Sequence, residues 1–112
     1  MTQDQAWEMI ISKLIDKNIE LHTVPKTKKT PIWFTAATNG NTIFINKAVN
    51  NRPSSKLTNE RKLTYQEFQK VYPLYLRREK GEPVSSQVTA ITRNQVYYFS
   101  LIKHFCYGDL YD

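Results

Sequence analysis

From Ile32 to Asn46, IWFTAATNGNTIFIN, apolar residues recur at every second position: Ile32, Phe34 and Ala36, then Ile43 and Ile45. Such a period of two marks a strand with one wholly apolar, buried face. Asn39-Gly40 interrupts it, and Asn-Gly is the strongest short-range hairpin signal because a type I′ turn needs positive φ at both central residues. With Thr38 and Asn41 flanking a two-residue turn, Ala36 faces Ile43 and Phe34 faces Ile45, and Ile32 extends the stripe. Trp33, Thr35, Phe44 and Asn46 then share the opposite face.

A period near 3.6 replaces the alternation on either side. Trp7, Ile10, Ile11, Leu14 and Ile15 form one apolar stripe, which predicts an amphipathic helix over 2–18. Thr2 and Gln5 have capping-box spacing at its start. Ile19 to Val24 reads as a short strand ended by Pro25. Thr64 and Glu67 repeat the capping-box spacing, and Phe68, Val71, Tyr72 and Tyr75 follow as a second stripe. Pro73 would clash with the carbonyl of Gln69, so two helical pieces are expected, 65–72 and 73–80. Residues 82–91 fit either period. A last helix, Arg93 to Phe105 with Thr92 as its cap, buries Tyr98, Leu101, Ile102 and Phe105, and the tail from Tyr107 is expected to fray. The pattern predicts an α+β single domain over 1–112. An N-terminal helix, a small antiparallel sheet centred on the 32–46 hairpin and two or three C-terminal helices compose it.

Charge changes this picture by locating a candidate surface. Sixteen Lys and Arg oppose ten Asp and Glu, for a net charge of +6. Twelve of the basic residues and three of the acidic ones fall between Lys26 and Lys80, a local net of +9. A field of that sign attracts polyanions. The expected phosphate contacts are Lys26, Lys28, Lys29, Lys47, Arg52, Lys56, Arg61 and Lys62, extended by Arg77, Arg78, Lys80 and Arg93. The stretch 47–62 has no period and mixes Asn, Ser, Lys and Arg, which suits base edges and phosphates together. A loop of that length is either functional or disordered. Trp33 and Phe44 have two readings: platforms for unpaired bases, or a second core beneath the C-terminal helix. The second is the expectation, because large exposed apolar faces are rare.

The chemistry of catalysis is sparse. Gly40, Gly81 and Gly108 are too scattered for a phosphate-cradling loop. No metal ligand set and no cofactor motif is visible, and His22 and His104 are the only histidines. Glu20 beside His22 reads as surface decoration. Cys106, the single cysteine, lies in an apolar run and reads as an inert buried thiol. The absence of cysteine pairs, of a leader and of a long apolar run points to a cytoplasmic protein that does not enter a membrane.

The function read from the sequence is a non-catalytic nucleic-acid-binding module, accessory or regulatory, with DNA and RNA equally open. One variant is a helix-turn-helix through the Thr64 helix and a helix containing Ser85, Ser86, Gln87 and Thr89, although the turn through Lys80 to Pro83 departs from the compact spacing. Two alternatives belong to other classes. One is a domain whose basic surface meets an acidic protein partner. The other is a metal-free ribonuclease drawing on His22, His104, Tyr97, Arg77, Arg78 and Arg93.

Overall fold

Two apolar stripes of different period must be buried against each other, and the fold does this in two layers. The computed structural model describes residues 1–108. Helix α1 (Gln3–Leu14) leads into β1 (Ile19–His22), β2 (Trp33–Thr38), β3 (Ile43–Lys47) and β4 (Arg61–Leu63). Three helices follow: α2 (Tyr65–Glu79), α3 (Ser85–Ile91) and α4 (Gln95–Ile102). The last continues as π-type turns over Lys103–Tyr107. The sheet is antiparallel in the order β1-β2-β3-β4. The chain is therefore α+β, with the N-terminal helix, hairpin-centred sheet and C-terminal helices its pattern predicts.

The inner sheet face carries Leu21, Phe34, Ala36, Ile43, Ile45 and Leu63. All belong to one cluster with Trp7, Ile10 and Leu14 of α1, Phe68, Val71 and Tyr75 of α2, and Tyr97, Tyr98, Phe99, Leu101 and Ile102 of α4. Phe34 meets Tyr97 edge-on at 5.0 Å, so α4 lies on this inner face. Trp33 and Phe44 are outside the cluster. Among the described residues the expected second core beneath the C-terminal helix does not form, because that helix already covers the other side of the sheet.

The hairpin closes differently from the expected two-residue turn. Thr38 pairs with Ile43 and Ala36 with Ile45, which leaves a four-residue loop, 39–42. Asn39 Oδ1 accepts from the amides of Asn41 and Thr42, both at 2.9 Å, and Thr38 Oγ1 accepts from Gly40 N at 3.0 Å. These side chains satisfy the loop amides, and only Gly40 needs positive φ, 101°. The shift is two residues, so every side chain keeps its face. Ile32 falls outside β2 and is 36% exposed.

Helix α1 starts on the expected capping box, with Thr2 and Gln5 bonded reciprocally. It ends earlier than the stripe suggests. Asp16 turns into the left-handed region at φ 56°, so the chain can enter β1, and Ile15 is left exposed. Helix α2 runs unbroken through Pro73. Pro73 and Gln69 both face solvent, so water can satisfy the carbonyl that Pro73 leaves free, while Phe68, Val71, Tyr72, Leu74 and Tyr75 bury both halves of the same face. Helix α4 begins at Gln95 and not at Arg93. Thr92 is spent elsewhere: its hydroxyl donates to Glu67 at 3.1 Å and accepts from Asn94 N at 3.0 Å. Tyr97 is buried as well, and Tyr107 stacks on Tyr75 instead of fraying. The rest of the expected tail, 109–112, lies outside the described residues.

The stretch 47–62 follows a defined path and runs into β4, a strand that periodicity did not show. After Lys47 the chain leaves β3, bulges outward, and returns beside β2. Trp33 N donates to Pro53 O and Ser55 N to Trp33 O, both at 2.8 Å. The bulge is built around Glu20. Its carboxylate accepts from the amides of Val49, Asn50 and Asn51 at 2.7, 2.8 and 3.0 Å, and from Asn51 Nδ2 at 2.8 Å. Glu20 is therefore a structural tie and not decoration. The amides, that of Asn50 foremost, hold its carboxyl below the usual range against the opposing pull of desolvation.

Candidate nucleic-acid interface

The twelve expected phosphate contacts do not form one patch. Three line a recess of about 550 Å³ between the 25–29 connector, the end of α2 and the starts of α3 and α4: Lys26, Lys29 and Arg78, with Glu79 and Glu82 beside them. Here the cations are largely engaged. Lys26 Nζ meets Glu79 at 2.9 Å, and Glu82 of the lining is taken at 3.0 Å by Arg77, which lies outside it. Arg78 does more than pair with Glu79 at 3.2 Å. It donates to Val24 O at 2.9 Å and lies 4.7 Å over the ring of Phe99. Its side chain is only 16% exposed, so it ties the connector to the helices.

A second recess, of about 400 Å³, has a different balance. Lys56, Arg61 and Arg93 line it, together with Leu57, Thr58, Asn59 and Glu60. Two separate segments supply the cations. Lys56 and Arg61 flank the turn that enters β4, and Arg93 precedes α4. Arg61 Nη1 donates to Asn94 Oδ1 at 2.9 Å, which fixes one guanidinium edge without neutralising it. Ser55 and Tyr97 bond at 3.0 Å through their hydroxyls, pinning the Lys56 segment to α4. Glu60, the one carboxylate in the lining, accepts from Asn46 Nδ2 at 3.0 Å. Among the described residues, Lys56, Arg61 and Arg93 form no ion pair. Asn94 and Ser55 escape sequence reasoning, since their partners lie 33 and 42 residues away and no local pattern links them.

The remaining cations are spread. Arg52 donates to the carbonyls of Val49 and Asn51 within its own loop. Lys62 sits on the outer sheet face, paired with Phe44. Lys28, Lys47 and Lys80 are exposed. Residues 85–91 form a helix, but α3 is only seven residues long, with Ser85, Ser86, Gln87 and Thr89 exposed and Arg77 bonded to Gln87. Helix α4, which follows it, is buried along most of its length.

The two histidines, 82 residues apart, do meet. Their rings make an edge contact at 4.7 Å, and His104 Nε2 lies 3.2 Å from His22 O. A carbonyl only accepts, so that nitrogen carries the proton when the bond forms. Burial lowers the pKa of His104 and keeps it neutral near pH 7, despite the opposing bond to the His22 carbonyl. The other expected ribonuclease groups are engaged elsewhere: Tyr97 with Ser55, Arg77 with Glu82, Arg78 with Phe99, and Arg93 in the second recess. Burial likewise pushes the Cys106 thiol up to about 12, and it donates to Ala6 O at 3.6 Å. Among the described residues no three His, Cys, Asp or Glu side chains gather as metal ligands. No helix there is long and apolar enough to cross a membrane. Comparison with known proteins finds no matching family model, curated protein or solved structure.

Proposed function

We propose that this chain is a non-catalytic nucleic-acid-binding module whose phosphate seat is the Lys56, Arg61 and Arg93 recess. One observation carries the reading. Three cations from two distant segments converge on a single concavity, and its one carboxylate is occupied by Asn46. Convergent guanidinium and ammonium groups without carboxylate partners match the oxygens of a phosphate, and Arg does so in a fork. The first recess is the weaker candidate, because its arginine and one of its two lysines are already paired with Glu79.

Fluorescence anisotropy with labelled oligonucleotides at two salt concentrations tests the reading. Binding is expected to tighten as salt falls, since each neutralised phosphate releases a counterion. No binding at the lower salt would remove the proposal. A domain that instead meets an acidic protein would leave the oligonucleotides unbound.

A further inference from the structure

The outer sheet face is the feature the phosphate seat leaves unexplained. Trp33 and Phe44 lie on it, half-buried and outside the core cluster. Phe44 pairs with Ala37, four residues along β2 from Trp33. At about 3.3 Å per residue the two positions lie roughly 13 Å apart along the strand. Between them lie Ala37, half-buried, and Thr35, which is buried with its hydroxyl donated to Lys47 O at 2.8 Å. His22 props the indole edge-on at 5.0 Å.

Charge says what would cover this face. Lys62 pairs with Phe44 across β3 and β4, is exposed, and forms no ion pair among the described residues. The two carboxylates nearby both hold protein donors: Glu20 the amides of the 49–51 bulge, Glu60 the Asn46 amide. Asn46 lies on this face and Glu60 lines the recess, so the aromatic face and the phosphate seat share a border.

We infer that the outer face takes single-stranded nucleic acid. One base stacks on Phe44 and another on Trp33, while Lys62 guides the backbone into the Lys56, Arg61 and Arg93 recess. The inference rests on the nucleic-acid reading above and specifies its strandedness. Only unpaired bases offer a free ring face to an aromatic side chain, and a sheet presents such side chains at fixed spacing. A duplex needs an element that enters a groove, and the small polar residues expected to face one, Ser85, Ser86, Gln87 and Thr89, lie on the seven-residue α3.

The test compares a labelled 12-nucleotide single strand with its duplex, by anisotropy and by tryptophan emission. Trp7 is 8% exposed, so a change in emission reports Trp33. The single strand is expected to bind at least tenfold tighter than the duplex and to quench the emission. Trp33→Phe should abolish the quenching. Phe44→Leu keeps the side chain apolar and should weaken single-strand binding roughly tenfold, with duplex binding unchanged and Phe44→Tyr restoring affinity. A melting curve shows that each variant is folded. Duplex binding as tight as single-strand binding, without quenching, would overturn this inference and leave the nucleic-acid reading standing. Binding of neither would remove both.

Discussion

Glu20 shows how much one side chain can decide. Its carboxylate gathers three consecutive backbone amides and the Asn51 side chain, and so shapes the 48–52 bulge. Those donors favour the charged form and lower its folded pKa below the ordinary 4.5. The stabilisation is therefore complete above about pH 4.5 and is lost as pH falls through the lowered folded value. Glu20→Gln should melt at a lower temperature than the wild type at pH 7 and show a flatter decline between pH 5 and 3. Hydrogen exchange should show the amides of Val49, Asn50 and Asn51 losing protection in the variant. Equal protection in both proteins would contradict this role. The role was hidden in the sequence because a carboxylate that meets amides some 30 residues away leaves no local signature. Gly40 was legible for the opposite reason, since its requirement for positive φ is purely local.

Elements were legible wherever one local period ran uninterrupted. The α1 stripe and its capping box predicted the helix and its start, and only the end was misplaced, because the turn at Asp16 answers to the position of β1. The hairpin kept its faces while its register moved by two residues, since side-chain oxygens of Thr38 and Asn39 took over the turn. Strand β4 has three residues and pairs only with β3, too short to show alternation. Helix α2 is the instructive case. Proline normally breaks a helix, yet here the lost bond falls on the solvent side and tertiary packing holds both halves. The penalty should persist in the native state, so Pro73→Ala is expected to raise stability by up to about 3 kcal/mol in urea unfolding. An unchanged or lower midpoint would show that the backbone at Gln69 had already relaxed around the proline.

At the scale of the whole molecule, composition revealed that the middle of the chain is basic but not where those charges would go. The fold divides them. Glu79 and Glu82 neutralise much of one recess, Arg52 and Arg78 serve the protein's own backbone, and Lys56, Arg61 and Arg93 converge at the start of α4. Convergence of residues so far apart in sequence depends on tertiary structure, and no spacing rule could have found it. The proposed function requires that position, not total charge, governs binding. Two double variants separate these ideas. Lys56→Gln with Arg93→Gln alters the second recess, and Lys13→Gln with Lys17→Gln removes the same charge from exposed positions at and just beyond the end of α1. The decisive measurement is the dependence of oligonucleotide affinity on salt for the wild type and both variants. The recess variant is expected to bind more weakly and to lose about 1.5–2 units of the log–log salt slope, while the α1 variant stays close to the wild type. Equal losses in the two variants, or none in the first, would contradict the proposed function.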